Sequence, residues 1–456
     1  MKDNGIVLRT DSYKFSHFPQ YPKNTTTVFS YVEARGGKYK DAQFFGLQYL
    51  IKEYLTKPVT MQQVEYAKER TTAHGVPFNY EGWKYIVNEL GGKLPLRIQA
   101  VKEGTVLPVS NVMVTMENTD PKCYWLTSYV ETLLLKVWYP ITVATTSREC
   151  KKIISSFLEE TADSSEGLPF KLHDFGYRGV SSEESAALGG AAHLVNFMGT
   201  DTFNALELLK DYYGCDMAGF SIPASEHSTI TSWGRENEFA AYENIVDTYK
   251  DSPIFACVSD SYNIFEAIKM WGKLKDKIIA NGNILVVRPD SGDPVEMSRD
   301  CVVALDKEFG SSVNAKGYKL LNNVRVIYGD GISSPDVIKA ILQNVKDAGF
   351  SADNLAFGMG GGLLQKLDRD TMEFAMKCSA MIADGKYIPV YKEPLGMSSK
   401  NSKRGFLDLI KVDGVFKTVS SESNEPHPES ELVTVYENGV LLVEYNLDEI
   451  RNRSSL

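Results

Sequence analysis

The chain has 456 residues, too many for one ordinary core, so two or three domains are expected. Its hydrophobic share of 43% beside 24% charged residues is that of a soluble globular protein. The net charge of −10 excludes a chain-wide electrostatic grip on nucleic acid or an anionic membrane. The cysteines lie far apart without a CxxC pair, which argues against a disulfide framework or a zinc site. The first residues lack the apolar run of a signal peptide, and "ETLLLKVWYPITVATT" is too short and interrupted to span a bilayer. The cytoplasm is the expected compartment.

In chain order, residues 1–165 mix turns such as "YPKNTTT" with helices such as "TMQQVEYAKERTTAHG" and strands such as "LRIQAVKEGTVLPV". From residue 170 a regularity sets in. β-rich runs occur at 170–179, 192–202, 217–227, 253–262, 283–293, 324–333 and 354–362. Helix-like segments such as "SEESAALGGAAHL", "SYNIFEAIKMWGKLKD" and "SPDVIKAILQNVKDAG" separate them. The interval of roughly 20–40 residues is the length of a βα unit. Each run is apolar first and then breaks into charged, Gly or Ser residues, where α/β folds carry their sites. After residue 375 the chain turns strand-rich, with "KYIPVYKEP", "GVFKTVS" and "GVLLVEYNL" around the polar loop "SSESNEPHPESE". The expected fold is α/β: a (β/α) barrel-like central domain over 166–374, and a discontinuous α+β domain built from both termini, 1–165 with 375–456.

The strand ends share a chemistry. Arg178, Arg288, Arg325 and Arg369 supply forks suited to phosphate. "GMGGG" (358–362), leading into the helix-like "LLQKLDRD", can bring bare backbone N–H groups to an anion, as can "GDG" (329–331). Glycine turns also serve geometry alone. Neither GxGxxG nor a Walker A pattern is present, which argues against an ordinary P-loop kinase. Asp260 in "CVSDSY" and Asp290 in "RPDSGDP" suit ribose hydroxyls or a hydrated Mg²⁺ between phosphates. The plainer reading of each is a helix N-cap. Phe175 and Tyr177 precede Arg178, so a flat ring can stack where the phosphate forks begin, although a Phe in such a place is often core.

Several long motifs settle what these residues resemble. "DSYKFSHFPQYPKNTTTVFSYVEARGG", "KLHDFGYRGVSSEESAALGGAAHLVNFMGTDT", "SIPASEHSTITSWG", "RPDSGDP", "VIYGDGI" and "AFGMGGGLLQKLDRDT" closely resemble the nicotinamide phosphoribosyltransferase family, in order along nearly the whole chain. That resemblance implies a type II phosphoribosyltransferase acting as a homodimer with sites at the interface. It implies nicotinamide and phosphoribosyl pyrophosphate as substrates, ATP as co-substrate, and Mg²⁺ held mainly by substrate phosphates. Phe175, with Tyr13 of the partner subunit, would sandwich the pyridine ring. Asp201 would receive the carboxamide, Arg288 would face the base, and Asp290 would lie by the ribose. Arg178, Gly360, Gly361 and Arg369 would take the 5-phosphate side. Arg35, Lys392 and Lys400 would reach the phosphates across the interface, and Arg325, Gly329 and Asp330 join the phosphate and ribose set. His227 would be phosphorylated by ATP. Adjacent side chains of an extended run face opposite ways, so Glu226 is not its expected partner; Asp260, from another strand end, is. The rival readings are a nicotinate phosphoribosyltransferase of similar fold and a non-catalytic nucleotide sensor.

Overall fold

The structure is a computed structural model that describes residues 5–393 and 402–455. The chain divides into two compact units: residues 1–145, 212–214 and 368–455, and residues 146–211 with 215–367. The expected borders were 165/166 and 374/375. The first border falls inside the helix Trp138–Thr161, where no Gly- or Pro-rich linker marks it.

The first unit is built on a seven-stranded antiparallel sheet. Its spatial order is Lys386–Pro389, Phe374–Ala383, Thr25–Ala34, Val112–Asn118, Leu96–Ala100, Val433–Glu437 and Val440–Leu441. Strand Thr25–Ala34 lies inside the sheet and buries nearly every residue, so it reads as a continuous β-branched and aromatic run without alternation. The helix Met61–His74 starts at Thr60, whose hydroxyl accepts the Gln63 N–H while the Gln63 side chain returns to the Thr60 N–H.

Glu103 is one of the buried carboxyls of this unit. Glu103 Oε1 accepts the Gln48 N–H at 2.7 Å, at the start of the helix Leu47–Leu50. Burial pushes its pKa up to about 7, against the N–H groups of Gln48 and Gly46, the Tyr213 hydroxyl and the Leu47 N–H, which favour the charged form. Because the folded value lies above the unfolded one, the stabilising proton is bound at low pH and lost as pH rises through about 7. Wild type is therefore expected to lose stability relative to Glu103→Gln by on the order of 3 kcal/mol between about pH 5 and pH 8. Urea midpoints across that range test it, and parallel pH profiles for the two proteins would refute it.

The second unit is built on six parallel strands: β1 Leu172–Asp174, β2 Gly199–Thr200, β3 Ile254–Val258, β4 Ile284–Arg288, β5 Val324–Tyr328 and β6 Leu355–Met359. They hydrogen-bond in the order β2-β1-β6-β5-β4-β3, and the sheet curls until its two edges meet on one segment. Phe220 bridges Gly199 of β2, and Ala224 bridges Ala256 of β3. The bonds are few. Phe220 N–H donates to the Met198 carbonyl at 2.7 Å, and the Pro223 carbonyl accepts the Ala256 N–H at 2.8 Å. Pro223 has no N–H to give, so this seventh run closes the ring by single bridges and never becomes a full ladder strand. All seven β-rich runs thus take part, although in 192–202 only Gly199–Thr200 is strand, because the helix Glu183–His193 continues into the run.

Helices Ile264–Ala280, Pro294–Phe309 and Pro335–Asp347 cover this sheet. Each buries an i, i+3, i+4 stripe, such as Ile338, Ile341, Leu342 and Val345. Inside the ring, Ala256, Val286 and Ile327 form the inner cluster, with Phe175, Ile222, Ile254 and Ala356 against it. Several inner positions are alanine, and the centre stays hollow: a cavity of about 530 Å³ runs among them.

Candidate active site

The C-terminal ends of the strands surround a second cavity of about 770 Å³. Phe175, Arg178, Asp201, Arg288, Asp290, Gly329 and Gly360 line it, with the turn Val180–Glu183. Phe175, Asp201 and Arg288 line both cavities and so stand where the two meet.

The ring of Phe175 is placed by glycines. Its N–H donates to the Met359 carbonyl at 3.1 Å, which ties the segment after β1 to β6. A Cβ on Gly358 would collide with the Phe175 ring, and one on Gly329 would come within 3.3 Å of it. The glycines of "GMGGG" and "GDG" therefore first make room for an aromatic face. "LLQKLDRD" does not continue as a helix: only Gly361–Leu364 is helical, and Asp368 caps the next turn. An anion at Gly360 would meet the free N–H groups of a single helical turn, with little dipole behind them.

Asp201 begins the segment after β2. Its Oδ1 accepts the Ser221 hydroxyl at 2.6 Å, which holds the carboxylate with one donor from the closing segment. Arg288, last in β4, has its Nη2 3.5 Å from Asp290 Oδ2, while its Nε–H is buried with no acceptor. A buried guanidinium N–H without a partner is costly, and a ligand oxygen entering the cavity could accept it.

Asp260 organises the neighbouring strand ends. One carboxylate oxygen accepts the Asp290 N–H at 3.0 Å and the Ser291 hydroxyl at 2.5 Å. The other lies 3.1 Å from His227 Nε2. The side chain of Asp260 is 7% exposed and that of His227 is 46% exposed, so the pair has a buried anchor and an open face. Burial opposes charge on Asp260, but the Ser291, Asp290 and His227 donors outweigh it and hold its pKa below the ordinary value. The N-cap reading is excluded for both aspartates. Asn263 caps the helix after β3, and Asp293 caps the helix after β4. Glu226 turns the other way, into the start of the helix His227–Thr231, where its N–H donates to Thr229 Oγ1.

Not every expected residue comes to this cavity. Arg325 is second in β5, at the opposite end of the sheet, and its guanidinium donates to the Leu321 and Val324 carbonyls at 2.7 and 2.8 Å. It lines the hollow centre, so the expectation that it binds phosphate at the strand ends is corrected: strand position decides which mouth a side chain serves. Asp330 is exposed, and neither it nor Gly361 lines the cavity. Tyr13, Arg35, Arg369 and Lys392 belong to the first unit, and Lys400 lies outside the described residues. Within the first unit, Tyr13 is 60% exposed. Arg35 Nε donates to the Glu373 carbonyl at 3.2 Å, and Arg369 Nη1 to the Phe374 carbonyl at 2.9 Å.

Sequence reasoning missed Lys377. Its pKa is lowered, by burial first and then by the nearby cations Lys392, Arg35 and Arg369, against the pull of Glu131. The charges of three residues expected at phosphate thus act on a lysine that no motif distinguishes. Ser221 was also missed, since only the ring closure brings it to Asp201.

Comparison with known proteins gives the relationship. The chain is 54% identical over 457 aligned residues to the nicotinamide phosphoribosyltransferase of Xanthomonas campestris pv. campestris (strain 8004), covering 98% of this chain and 97% of that one. The chain belongs to the nicotinamide phosphoribosyltransferase family. The family's N-terminal domain model matches residues 5–98, and the nicotinate phosphoribosyltransferase (NAPRTase) family model matches residues 170–440. A second family member, the nicotinamide phosphoribosyltransferase of Acinetobacter baylyi, is 32% identical over 97% of this chain and 95% of its own. Among solved structures, the fold matches nicotinate-nucleotide pyrophosphorylase from Pyrococcus furiosus with a TM-score of 0.62 at 15% identity, over 100% of this chain and 95% of that one. It also matches human nicotinic acid phosphoribosyltransferase, with a TM-score of 0.57 at 15% identity, over 98% and 92% of the two chains.

Proposed function

We propose that this chain joins nicotinamide to the ribose of phosphoribosyl pyrophosphate, releasing pyrophosphate and nicotinamide mononucleotide, and so serves NAD salvage. The observation that carries the reading is the junction of the two cavities, where an aromatic ring, a carboxylate and an arginine with an unmet donor face one space. Phe175 stacks the pyridine, Asp201 accepts the carboxamide N–H, and Arg288 Nε–H meets a ligand oxygen. Arg178 and the N–H groups near Gly329 and Gly360 take the 5-phosphate.

Transfer passes through a ribosyl cation-like state in which the pyrophosphate departs as the ring nitrogen arrives. The protein's work is positioning and charge stabilisation. Mg²⁺, when bound, neutralises charge on the leaving pyrophosphate. The ion would be carried mainly by substrate oxygens, with Asp290 close by.

His227 takes the phosphoryl group of ATP. A carboxylate can only accept, so Asp260 keeps the imidazole proton on Nε2 and leaves the lone pair on Nδ1. Nδ1 attacks the γ-phosphorus, the bond to the ADP oxygen breaks, and water later receives the phosphoryl group. Residues 166–374 act as the catalytic domain, and the terminal segments carry dimer contacts. In a homodimer the partner copy supplies Tyr13, Arg35, Lys392 and Lys400, with Arg369 also near phosphate. Among the described residues no helix is long and apolar enough to cross a membrane, and we place the activity in the cytoplasm.

The test offers nicotinamide and nicotinate in competition, with phosphoribosyl pyrophosphate and Mg²⁺, with and without ATP. Nicotinamide mononucleotide is the expected main product, with a gain on adding ATP. Nicotinate mononucleotide as the main product would overturn the base assignment. Tight substrate binding without any product would make the chain a sensor.

A further inference from the structure

The segment that carries Phe175 and the one that carries Asp201 leave adjacent strands, β1 and β2, and must keep a fixed separation if one ring is to meet both. Two carboxyl groups with no part in the reaction above lie between them. Asp174, last in β1, is fully buried. Its Oδ1 accepts the Gly176 N–H at 2.7 Å, holding the turn just after Phe175. Its backbone carbonyl accepts the Asp201 N–H at 3.0 Å. Its Oδ2 and the hydroxyl of Thr202 are both buried and make no hydrogen bond that meets geometric criteria.

The two side chains share one small space. A Cβ on Gly190 would stand 3.1 Å from Asp174 Oδ2 and 3.0 Å from Thr202 Cγ2, so that helix position leaves room for both. A second link runs alongside: Glu183 Oε2 accepts the Tyr177 hydroxyl at 2.7 Å and the Asn204 side-chain N–H at 3.2 Å.

We propose that Asp174 is a positioning residue, joining the Gly176 N–H to the Thr202 hydroxyl and thereby setting the Phe175 ring against the Asp201 carboxylate. It rests on the base-binding reading given above. The carboxyl works in either protonation state: ionised, Oδ2 accepts from Thr202; neutral, it donates to it. Burial, opposed by Thr202 and the Gly176 N–H and assisted by the charge of Asp201, pushes its pKa up to about 6, so both states occur near neutrality.

The test measures KM for nicotinamide and for phosphoribosyl pyrophosphate separately, on variants whose melting curves show a folded protein. Asp174→Asn keeps an acceptor for Gly176 and a donor for Thr202, and its nicotinamide KM is expected within about threefold of wild type. Asp174→Leu keeps the bulk and loses both bonds. It is expected to raise the nicotinamide KM by about tenfold or more while the KM for phosphoribosyl pyrophosphate moves less than about twofold. Thr202→Val removes one bond and is expected to raise the nicotinamide KM by about threefold to fivefold. If Asp174→Leu does not fold, Thr202→Val and the Asn rescue decide. Equal rises in both KM values, an Asn variant as impaired as Leu, or unchanged KM in folded Leu and Val variants would each overturn the assignment. Wild type is assayed first: no turnover of nicotinamide would overturn the base-pocket reading itself, whereas normal wild-type turnover with unmoved variants overturns the role of Asp174 alone.

Discussion

Asp260→Asn is expected to lower ATP hydrolysis by about 10³–10⁴-fold while the protein stays folded. The reason is the direction of one proton. Asp260 Oδ1 sits 3.1 Å from His227 Nε2 and can only accept, so the reactive lone pair stands on Nδ1. An asparagine amide can donate to Nε2 instead. The imidazole proton then moves to Nδ1, and the nucleophile is lost with almost no change in shape. The Asp290 N–H and the Ser291 hydroxyl can still find the amide oxygen, which is why the local fold should survive. The measurement is steady-state ATPase activity together with acid-labile phosphate trapped on the protein, compared with His227→Ala. In both variants the gain that ATP gives to product formation should vanish. Phosphohistidine formed by Asp260→Asn at the wild-type rate would refute the tautomer argument.

Asp201→Asn is expected to narrow the preference for nicotinamide over nicotinate, in kcat/KM, by about 100-fold or more. On the proposed reading the carboxylate would accept from a carboxamide N–H and repel a nicotinate carboxylate, and a desolvated like-charge contact costs several kcal/mol. Ser221 donates to Asp201 at 2.6 Å and fixes the direction in which the remaining lone pairs point. Asparagine removes the charge and offers a donor that nicotinate can use. The two bases are assayed singly and in competition against wild type. Undiminished discrimination in the variant would mean that another group reads the amide.

The βα rhythm of the second unit was legible because helix and strand have different periods and each run ends in Gly, Asp or Ser. The helices Ile264–Ala280, Pro294–Phe309 and Pro335–Asp347 lie where their apolar stripes put them. Legibility failed where two elements competed for the same residues. Residues 192–198 carry β-formers, yet the alanine-rich helix Glu183–His193 extends into them, because its buried face packs Ala191, Ala192 and His193. "LLQKLDRD" has helical composition, but an Asp368 cap starts a new turn before the helix can continue.

The site divides along the same line. Residue types and their placement after apolar runs were enough to single out Phe175, Arg178, Asp260, Arg288 and Asp290, while Asp201 and the role of His227 came from the motifs that carried the family resemblance. The sequence alone could not distinguish Arg288, last in its strand, from Arg325, second in its own, since both are arginines in β-rich runs. Arg288 reaches the strand-end cavity as well as the hollow centre, whereas Arg325 lines the hollow centre alone. Nor could it show that the charges of Arg35, Arg369 and Lys392 act on Lys377, or that Asp174 and Thr202 share the space left by Gly190.

The sequence by itself therefore determined the order of elements, the chemistry at the strand ends and the family. Only the tertiary structure decided which oxygen faces which nitrogen. The physical reason is that side-chain alternation along a strand sets a face and nothing more. Which groups on that face meet depends on strand order, on register and on where the ring closes. Here it closes at 220–225, the segment that delivers Ser221 to Asp201 and leads directly into His227 beside Asp260.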